Sequence, residues 1–490
     1  MSAQPFAHAR DALPTLEVLR QRSVGLWAGL PDDVVALART FAEAGHELAL
    51  VGGPVRDAFL GRSTADLDFT TSALPDESEA LLKTWSRATW DMGREFGTIG
   101  ARRGEVVVEV TTYRADSYDG ETRRPVVAFG DSLEADLARR DFTVNAMAVR
   151  LPGGDFVDPH GGLEDLAGGL LRTPIAPEVS FGDDPLRMMR AARFVSQLGF
   201  EIEPATFAAM AALAERLEIV SAERCRDELT KLLLGTYVRE GLAALVDAGL
   251  AALVIPELPA LRLEVDEHHH HKDVYDHTLT VVEQAIALET APDGPVPAPD
   301  LVLRLAALLH DCGKPATRRM EPGGGVSFHH HEVVGAKIAK RRLKELRFDR
   351  DTVRDVSTLV ELHLRFHGYA DARWSDSAVR RYVTDAGPLL ERLHRLTRAD
   401  VTTRNRRKAE RLSFAYDDLE ARIAALREQE ELDAVRPDLD GTQIMSLLGI
   451  GPGREVGEAY RYLLELRMEH GPLGAERAEA ELRSWWAARG

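Results

Sequence analysis

Leu50-Val51-Gly52-Gly53-Pro54-Val55-Arg56-Asp57, running on through Leu60-Gly61-Arg62 to Asp66-Leu67-Asp68-Phe69-Thr70-Thr71, reads as strand, glycine turn, short helix and second strand. Leu48 to Val51 are apolar and end on Gly52-Gly53, a turn that lets a backbone approach a phosphate closely. Leu67 and Phe69 alternate with Asp66 and Asp68, which is period two. In a strand, residues i and i+2 point to the same side, so Asp66 and Asp68 share one face. Two such carboxylates repel each other unless a cation sits between them. Magnesium, which takes carboxylates together with substrate phosphates, is the natural one. A lone D-x-D is common in surface turns; joined to a phosphate-cradling turn, it points to metal-assisted nucleotidyl transfer.

Gly52-Gly53, the Arg56-Asp57 helix, Gly61 and the D-x-D strand, at these distances, closely resemble the head domain of the polymerase β superfamily. More narrowly, the stretch resembles bacterial class II tRNA CCA-adding enzymes and the related poly(A) polymerases. The resemblance implies a catalytic site of Asp66, Asp68 and Glu109 with magnesium on the aspartates. Glu109 interrupts the valine run Val106-Val107-Val108 of a predicted strand, where a buried carboxylate is costly unless it meets a cation. Arg94-Glu95-Phe96-Gly97-Thr98-Ile99 is similar to the family's glycine turn near the nucleotide. Arg139-Arg140-Asp141-Phe142-Thr143-Val144-Asn145-Ala146 matches the family's R-R-D-F-T-x-N-A without substitution. With Gly52, Gly53 and Arg56, the residues Arg140, Asp141 and Asn145 are then expected to hold ribose and triphosphate. The spacing predicts a helix with Asp141 and Asn145 on one face. The glycine-rich Asp158-Pro159-His160-Gly161-Gly162 is a loop that is mobile in the family.

Downstream, Asp183-Asp184-Pro185-Leu186-Arg187 is similar to the family's E-D-x-x-R, with Asp183 in place of the glutamate. Asp184 and Arg187 are expected on one helical face as a protein template. Cytosine and adenine both present an amino donor beside a ring-nitrogen acceptor, which suits a carboxylate beside a guanidinium. Uracil and guanine reverse that pattern and leave charges unpaired. Arg190 and Arg193 follow as further nucleotide contacts. Ser221 to Leu233 matches S-x-E-R-x-x-x-E-L-x-K-L-L, and Glu223, Arg224 and Glu228 are expected to brace the template helix by ion pairs.

The C-terminal half holds a second centre. His and Asp at the ends of apolar helices can converge on a metal. The order His277…His310-Asp311…Asp400 resembles the HD phosphohydrolase domain, which implies these four as ligands of a divalent metal whose identity the sequence does not specify. His331 and His363 match the additional histidines of metal-rich HD sites, with His329 and His330 competing for the first of these places. The run His268 to His271 precedes a K-D-V-Y-x-H that the family shares. Arg395, Arg398, Arg404, Arg406, Arg407, Lys408 and Arg411 make a local positive strip, of which Arg404, Arg406, Arg407 and Lys408 are the expected RNA contacts.

The 490-residue length suits three or four domains. The expected class is α+β: a polymerase β-like head with a mixed sheet, then an all-α neck, HD domain and tail. The boundaries are 1–170 for the head with its N-terminal helices, 171–262 for the neck, 263–400 for the HD domain and 401–490 for the tail. A formal charge of −18 means that any nucleic-acid contact must use local basic patches. Only Cys225 and Cys312 occur, which excludes a disulfide framework. Met1 to Arg20 has no long apolar core and no run approaches membrane-spanning length, so a cytoplasmic protein with no membrane partner is expected. No feature of the sequence sets an oligomeric state. The resemblance implies an enzyme that adds CCA to tRNA 3′ ends from CTP and ATP. Its rivals are a poly(A) polymerase, a CC- or A-adding enzyme, and an HD-domain phosphohydrolase. A non-catalytic RNA-binding protein is disfavoured, because the carboxylates would repel RNA without metal.

Overall fold

The computed structural model describes residues 13–25, 30–62, 66–114, 129–130, 132–262, 273–322, 326–366, 368–369, 374–402, 405–430 and 436–489. It divides into two compact units, Met1–Pro259 and Ala260–Gly490.

The first unit begins with helices α1 (Leu16–Gly25) and α2 (Asp32–Glu43). β1 (Leu48–Val51) follows, then α3 (Gly53–Phe59), β2 (Asp66–Thr71) and α4 (Pro75–Trp85). β3 (Ala88–Gly93), β4 (Thr98–Arg103) and β5 (Val106–Thr112) come next, then α5 (Leu133–Ala138), β6 (Ala148–Leu151), β7 (Asp155–Val157) and α6 (Gly162–Gly168). The seven strands form one sheet in the order β3-β4-β5-β2-β1-β6-β7. Only β2 and β5 run parallel, so the sheet is mixed.

Alternation along the strands separates the two faces of this sheet. Phe69, Ile99, Ala101, Val108 and Val110 are buried, and α4 packs against β3, β4 and β5 through Leu82 and Trp85. Each valine, leucine, isoleucine and phenylalanine among them contributes about 1.5–3 kcal/mol by leaving water. Asp68 and Glu109 lie exposed on the opposite face.

The rest of the unit is helical: α7 (Pro177–Asp183), α8 (Leu186–Leu198), α9 (Pro204–Ala212), α10 (Ala222–Leu233) and α11 (Val238–Asp247). α8 is buried along most of its length and packs on α10 and α11. Ser196 is fully buried, and its hydroxyl donates to the Leu232 carbonyl at 2.6 Å.

The second unit contains α12 (Val274–Ala287), α13 (Leu301–Leu309), α14 (His331–Glu345), α15 (Arg350–Leu362), α16 (Asp376–Ala386), α17 (Leu390–Ala399) and α18 (Arg406–Glu430). Asp273, Asp300 and Asp349 cap α12, α13 and α15 by accepting from backbone amides. α12, α13, α15 and α17 pack around Val281, Val282, Leu305, Leu309, Leu359 and Leu393. Three further helices, α19 (Gly441–Leu448), α20 (Arg454–His470) and α21 (Ala475–Ala487), close on a small core of Ile444, Ala459, Leu463 and Leu482. Among the described residues, no helix is long and apolar enough to cross a membrane. The His268 to His271 run lies outside the described residues.

Candidate active site and metal centre

Strand register sets the carboxylate site. Asp68 pairs with Glu109 across the parallel β2–β5 ladder, and Asp66 pairs with Val107. Neighbours in a parallel register share a face, so Asp68 and Glu109 stand on one side of two adjacent strands; the Asp66 side chain lies outside what the structure describes. Glu109 stands on an interior strand of the sheet, neither buried nor at an edge. Its charge is therefore solvated on the open face of the sheet rather than held in a dry core.

β1 leads into Gly52, whose φ of +75° favours glycine. A Cβ added there would lie 3.0 Å from Arg140 Nη1, so the turn and that guanidinium touch. Arg140 also contacts the fully buried Asp136 at 3.2 Å, and the Asp136 carboxylate accepts from Arg139 Nε at 3.1 Å. Asp136 is thus the anchor of the two arginines. Its position one helical turn before Arg140 was the available signal, and no role was read from it.

Arg56 Nη1 donates to Asn145 Oδ1 at 2.7 Å, and Asp57 takes the other side of the Arg56 fork at 2.9 Å. Asn145 Nδ2 donates to Asp141 Oδ1 at 3.0 Å, and Arg190 Nε donates to Asp141 Oδ2 at 2.8 Å. A continuous chain of polar contacts therefore runs from the glycine turn to α8. Burial works against the charged form of Asp141, but Arg190, Asn145 and the Phe142 amide outweigh it and hold the carboxyl well below its usual range. The expected helix around these residues is not formed. Thr143–Asn145 is a single 3-10 turn, entered from Phe142 in an extended conformation. Asp141 and Asn145 meet across that tighter turn, because Asp141 also caps the Phe142 amide at 2.8 Å.

Asp184 ends α7 in an extended conformation, and its carboxylate accepts from the Leu186 amide at 3.1 Å and from Arg224 at 3.2 Å. Arg187 is buried; it donates to Ser180 Oγ at 2.8 Å and to the Arg139 carbonyl at 2.6 Å. The two residues do not share one helical face, since Asp184 lies outside α8. Arg193 forms an ion pair with the buried Glu228 at 2.7 Å. Burial, Arg190 and Arg56 lower the Arg193 pKa to about 10. Phe194 carries the guanidinium of Arg193 at 4.1 Å from its ring centre, with those of Arg56 and Arg190 at 5.3 and 5.7 Å. Sequence reading missed this ring, because an aromatic in a buried helix looks like core. Arg94 is held by Glu79 at 2.6 Å and by Asp76, both on α4. Asp158 caps α6 through the Gly162 and Leu163 amides.

In the second unit, six side chains from helix ends converge. His277 Nε2 lies 3.0 Å from Asp400 Oδ1, and His310 Nε2 lies 3.2 Å from Asp311 Oδ2. His331 Nε2 lies 3.2 Å from the other Asp311 oxygen. The donor atoms form two groups, His277/His310/Asp400 and Asp311/His331/His363, each within 4.8 Å. The imidazoles are oriented from behind. His310, His331 and His363 each set Nδ1 against the carbonyl three residues earlier, at 2.8, 2.8 and 2.6 Å. His277 Nδ1 meets the Thr402 hydroxyl at 3.0 Å. Such contacts leave Nε2 as the ligating atom. His330 has a left-handed φ of 62°, and it and His329 face solvent, so His331 is the inward histidine of the three.

The donor set fits a divalent cation. His363 Nε2 is buried and makes no hydrogen bond among the described residues. Burial, reinforced by His310, lowers the His363 pKa to about 3, which keeps the ring neutral with a free lone pair. Burial also disfavours charge on Asp311 and Asp400, but the histidines, with Lys314 at Asp311, hold both well below the usual carboxylate range.

The positive strip is smaller than its sequence suggests. Arg395 pairs with Glu391, Arg398 with Asp417 and Glu420, and Arg406 with Glu410. Arg407, Lys408 and Arg411 remain exposed on α18, with Phe414 at 74% exposure beside them. Arg404 lies outside the described residues.

Comparison with known proteins now defines the class. Residues 48–172 match the poly A polymerase head domain family, 199–261 the probable RNA and SrmB-binding site of polymerase A, and 274–405 the HD domain family. An A-adding tRNA nucleotidyltransferase of Deinococcus radiodurans is 36% identical over 446 residues, covering 89% of this chain and 95% of the relative. A CC-adding tRNA nucleotidyltransferase of Thermus thermophilus is 34% identical over 452 residues, covering 90% and 94%. The solved CCA-adding enzyme of Bacillus stearothermophilus in complex with CTP superposes with a TM-score of 0.66 at 24% identity, covering 94% of this chain and 98% of that one, which shows a shared fold. The fold is that of a polymerase β-type nucleotidyltransferase carrying an HD domain. The chain belongs to the family of tRNA nucleotidyltransferases and is an enzyme of that family.

The Asp141–Arg190 contact yields a stability test. Asp141→Asn leaves the half-buried Arg190 without its counter-charge and, with solvent screening part of the loss, should cost about 1–3 kcal/mol at neutral pH. The folded carboxyl titrates below its unfolded value. Wild-type stability from this contact is therefore complete above about pH 4 and is lost as pH falls further, while the variant lacks that slope. Denaturant titrations at several pH values would read both effects.

Proposed function

We propose that the enzyme rebuilds the 3′ end of tRNA by adding CCA from CTP and ATP in the cytoplasm, with Asp66, Asp68 and Glu109 as the magnesium-dependent catalytic group. The observation that carries this reading is the register pairing of Asp68 with Glu109 on the open face, beside the Gly52 turn. Magnesium bound there supplies Lewis-acid stabilisation of charge at the reacting phosphate. Gly52 and Gly53 admit the triphosphate close to the backbone, and Arg140 and Arg56 answer its charge. Asp141 and Asn145 offer hydrogen bonds to the ribose from a turn already fixed by Arg56 and Arg190. Arg187 uses three contacts on Ser180 and Arg139, which leaves the Nε hydrogen and one Nη2 hydrogen for a ring nitrogen. Asp184, oriented by Arg224, accepts from an exocyclic amine. Arg407, Lys408 and Arg411 supply cations for a phosphate backbone. The relatives above add A, CC or CCA, so incorporation of labelled CTP and ATP into tRNA lacking its 3′ end tests which set this chain uses.

Asp68→Ala should lower CMP incorporation at saturating magnesium by at least about a thousandfold, several kcal/mol of transition-state stabilisation, with the fold retained. Near-normal incorporation would remove Asp68 from the catalytic group.

Arg187→Ala should damage selection as well as rate. Each lost charge-assisted hydrogen bond is worth about 1.5–3 kcal/mol, so the preference for C over U should fall about 10- to 100-fold. Single-nucleotide competition on trimmed tRNA measures it. A uniformly slower enzyme with unchanged preference would make Arg187 an anchor of α8 to the Arg139 loop and nothing more.

The convergence of six donors in the second unit favours a second reading alongside the first: a metal-dependent phosphohydrolase activity of the HD domain. His310→Ala combined with Asp311→Ala should abolish metal retention, measured by elemental analysis, and remove phosphodiesterase activity, while CMP addition persists. Loss of addition in a folded double variant would make the two centres interdependent.

A further inference from the structure

The open face of the head sheet carries a row of cross-strand partners. Trp90 on β3 pairs with Gly100 on β4, Gly100 with Glu109 on β5, and Glu109 with Asp68 on β2. Register partners share a face, so the Trp90 side chain emerges on the same side as the two carboxylates. Gly100 has no side chain to fill the space between them. A Cβ added at Gly100 would lie 2.1 Å from Trp90 Nε1, which means that the indole lies over the Gly100 backbone. One strand spacing, roughly 5 Å, separates that position from Glu109. The indole is half-buried, and its N–H bonds to no described residue.

The sheet order gives this row a direction. The groups that face the triphosphate, Gly52 and the Arg140–Asn145 segment, lead out of β1 or into β6. β1 and β6 lie on one side of β2, and β5, β4 and β3 lie on the other. The carboxylates stand between. A nucleotide held on the β1/β6 side leaves the β5/β4/β3 side for the attacking end of the RNA. An attacking 3′-hydroxyl at Glu109 and Asp68 carries its own base toward Gly100. Bases stack on aromatic faces with little regard to sequence, which suits an end whose last residue changes during extension.

We propose that Trp90 is the surface on which the terminal base of the RNA rests while its 3′-hydroxyl lies at the carboxylate group. This rests on the nucleotidyl-transfer reading above. Gly100 is then required so that the indole can lie flat beside Glu109. Trp90 contacts the acceptor RNA and leaves the incoming nucleotide untouched.

The test uses the full-length enzyme and trimmed tRNA carrying 2-aminopurine as its last base. Trp90→Leu keeps apolar bulk and loses the π-face. It should raise KM for the RNA about 5- to 100-fold, leave KM for CTP within about twofold, and abolish the quenching of 2-aminopurine on binding. Trp90→Phe should restore most of both. Unchanged RNA KM and quenching in Trp90→Leu overturn the assignment. A fall in thermal stability with equal damage to both KM values, not rescued by phenylalanine, overturns it too, because Trp90 would then only plug the sheet. If wild-type enzyme extends no tRNA at all, the nucleotidyl-transfer reading itself fails, an outcome separate from the first two.

Discussion

The contact between the buried Asp141 and the half-buried Arg190 is the constraint on which the head depends. Burial alone would push the Asp141 carboxyl toward its neutral form. Arg190 prevents that, and Asn145 and the Phe142 amide take the remaining lone pairs of the same carboxylate. A buried carboxylate of this kind is tolerated only when its hydrogen bonds are met, as they are here. The consequence is mechanical. The 3-10 turn Thr143–Asn145 cannot move without disturbing α8, and Arg56 cannot move without disturbing Asn145. The phosphate side of the nucleotide site and the helix proposed to read the base are therefore one rigid piece. Arg187, reaching the Arg139 carbonyl from α8, ties the same two segments a second time.

The second unit solves a similar problem by different means. Four histidines and two aspartates packed together would be costly in a dry interior if their charges were unmatched. Helix geometry helps. His310, His363 and Asp400 each follow the last residue of a helix, and His331 begins one. Free carbonyls at helix ends accept from Nδ1 and turn Nε2 inward. His310 shows how strong the internal field is: burial opposes its charge, yet Asp311 and Asp400 raise its pKa to about 10. A cation at this point would take over the role that the His310 proton plays in its absence.

Much of this was legible in the sequence where the signal was local. Period two at Asp66–Thr71 identified β2, and the apolar residues around His277 and before His310 identified two of the helices that carry the metal centre. Long-range facts were not legible. Nothing in Arg187 itself says that Ser180 and Arg139 will occupy part of its guanidinium. The strip from Arg395 to Arg411 read as seven cations, because Asp417 and Glu420, which answer Arg398, lie roughly two turns beyond it along α18. The Arg140–Asn145 segment read as helix because i,i+4 spacing cannot distinguish an α-turn from a 3-10 turn capped by Asp141. Glu109 read as a buried charge because a valine run does not reveal that one face of its strand stays open.

The register of β2 against β5 shows why fold and chemistry cannot be separated in the head. Phe69 pairs with Val110 and Asp68 with Glu109. The first pair is buried beneath the sheet, and the second is exposed above it. A slip of one residue would send Phe69 or Val110 into water and bring a carboxylate beneath α4. Losing two such side chains from the core would cost about 3–6 kcal/mol, before any cost of a buried charge. That penalty opposes every register except the one that brings the carboxylates side by side. The apolar residues that hold the sheet together are therefore also what aligns Asp68 with Glu109. A volume-changing substitution at Phe69 or Val110 acts on catalysis through the same ladder that it destabilises.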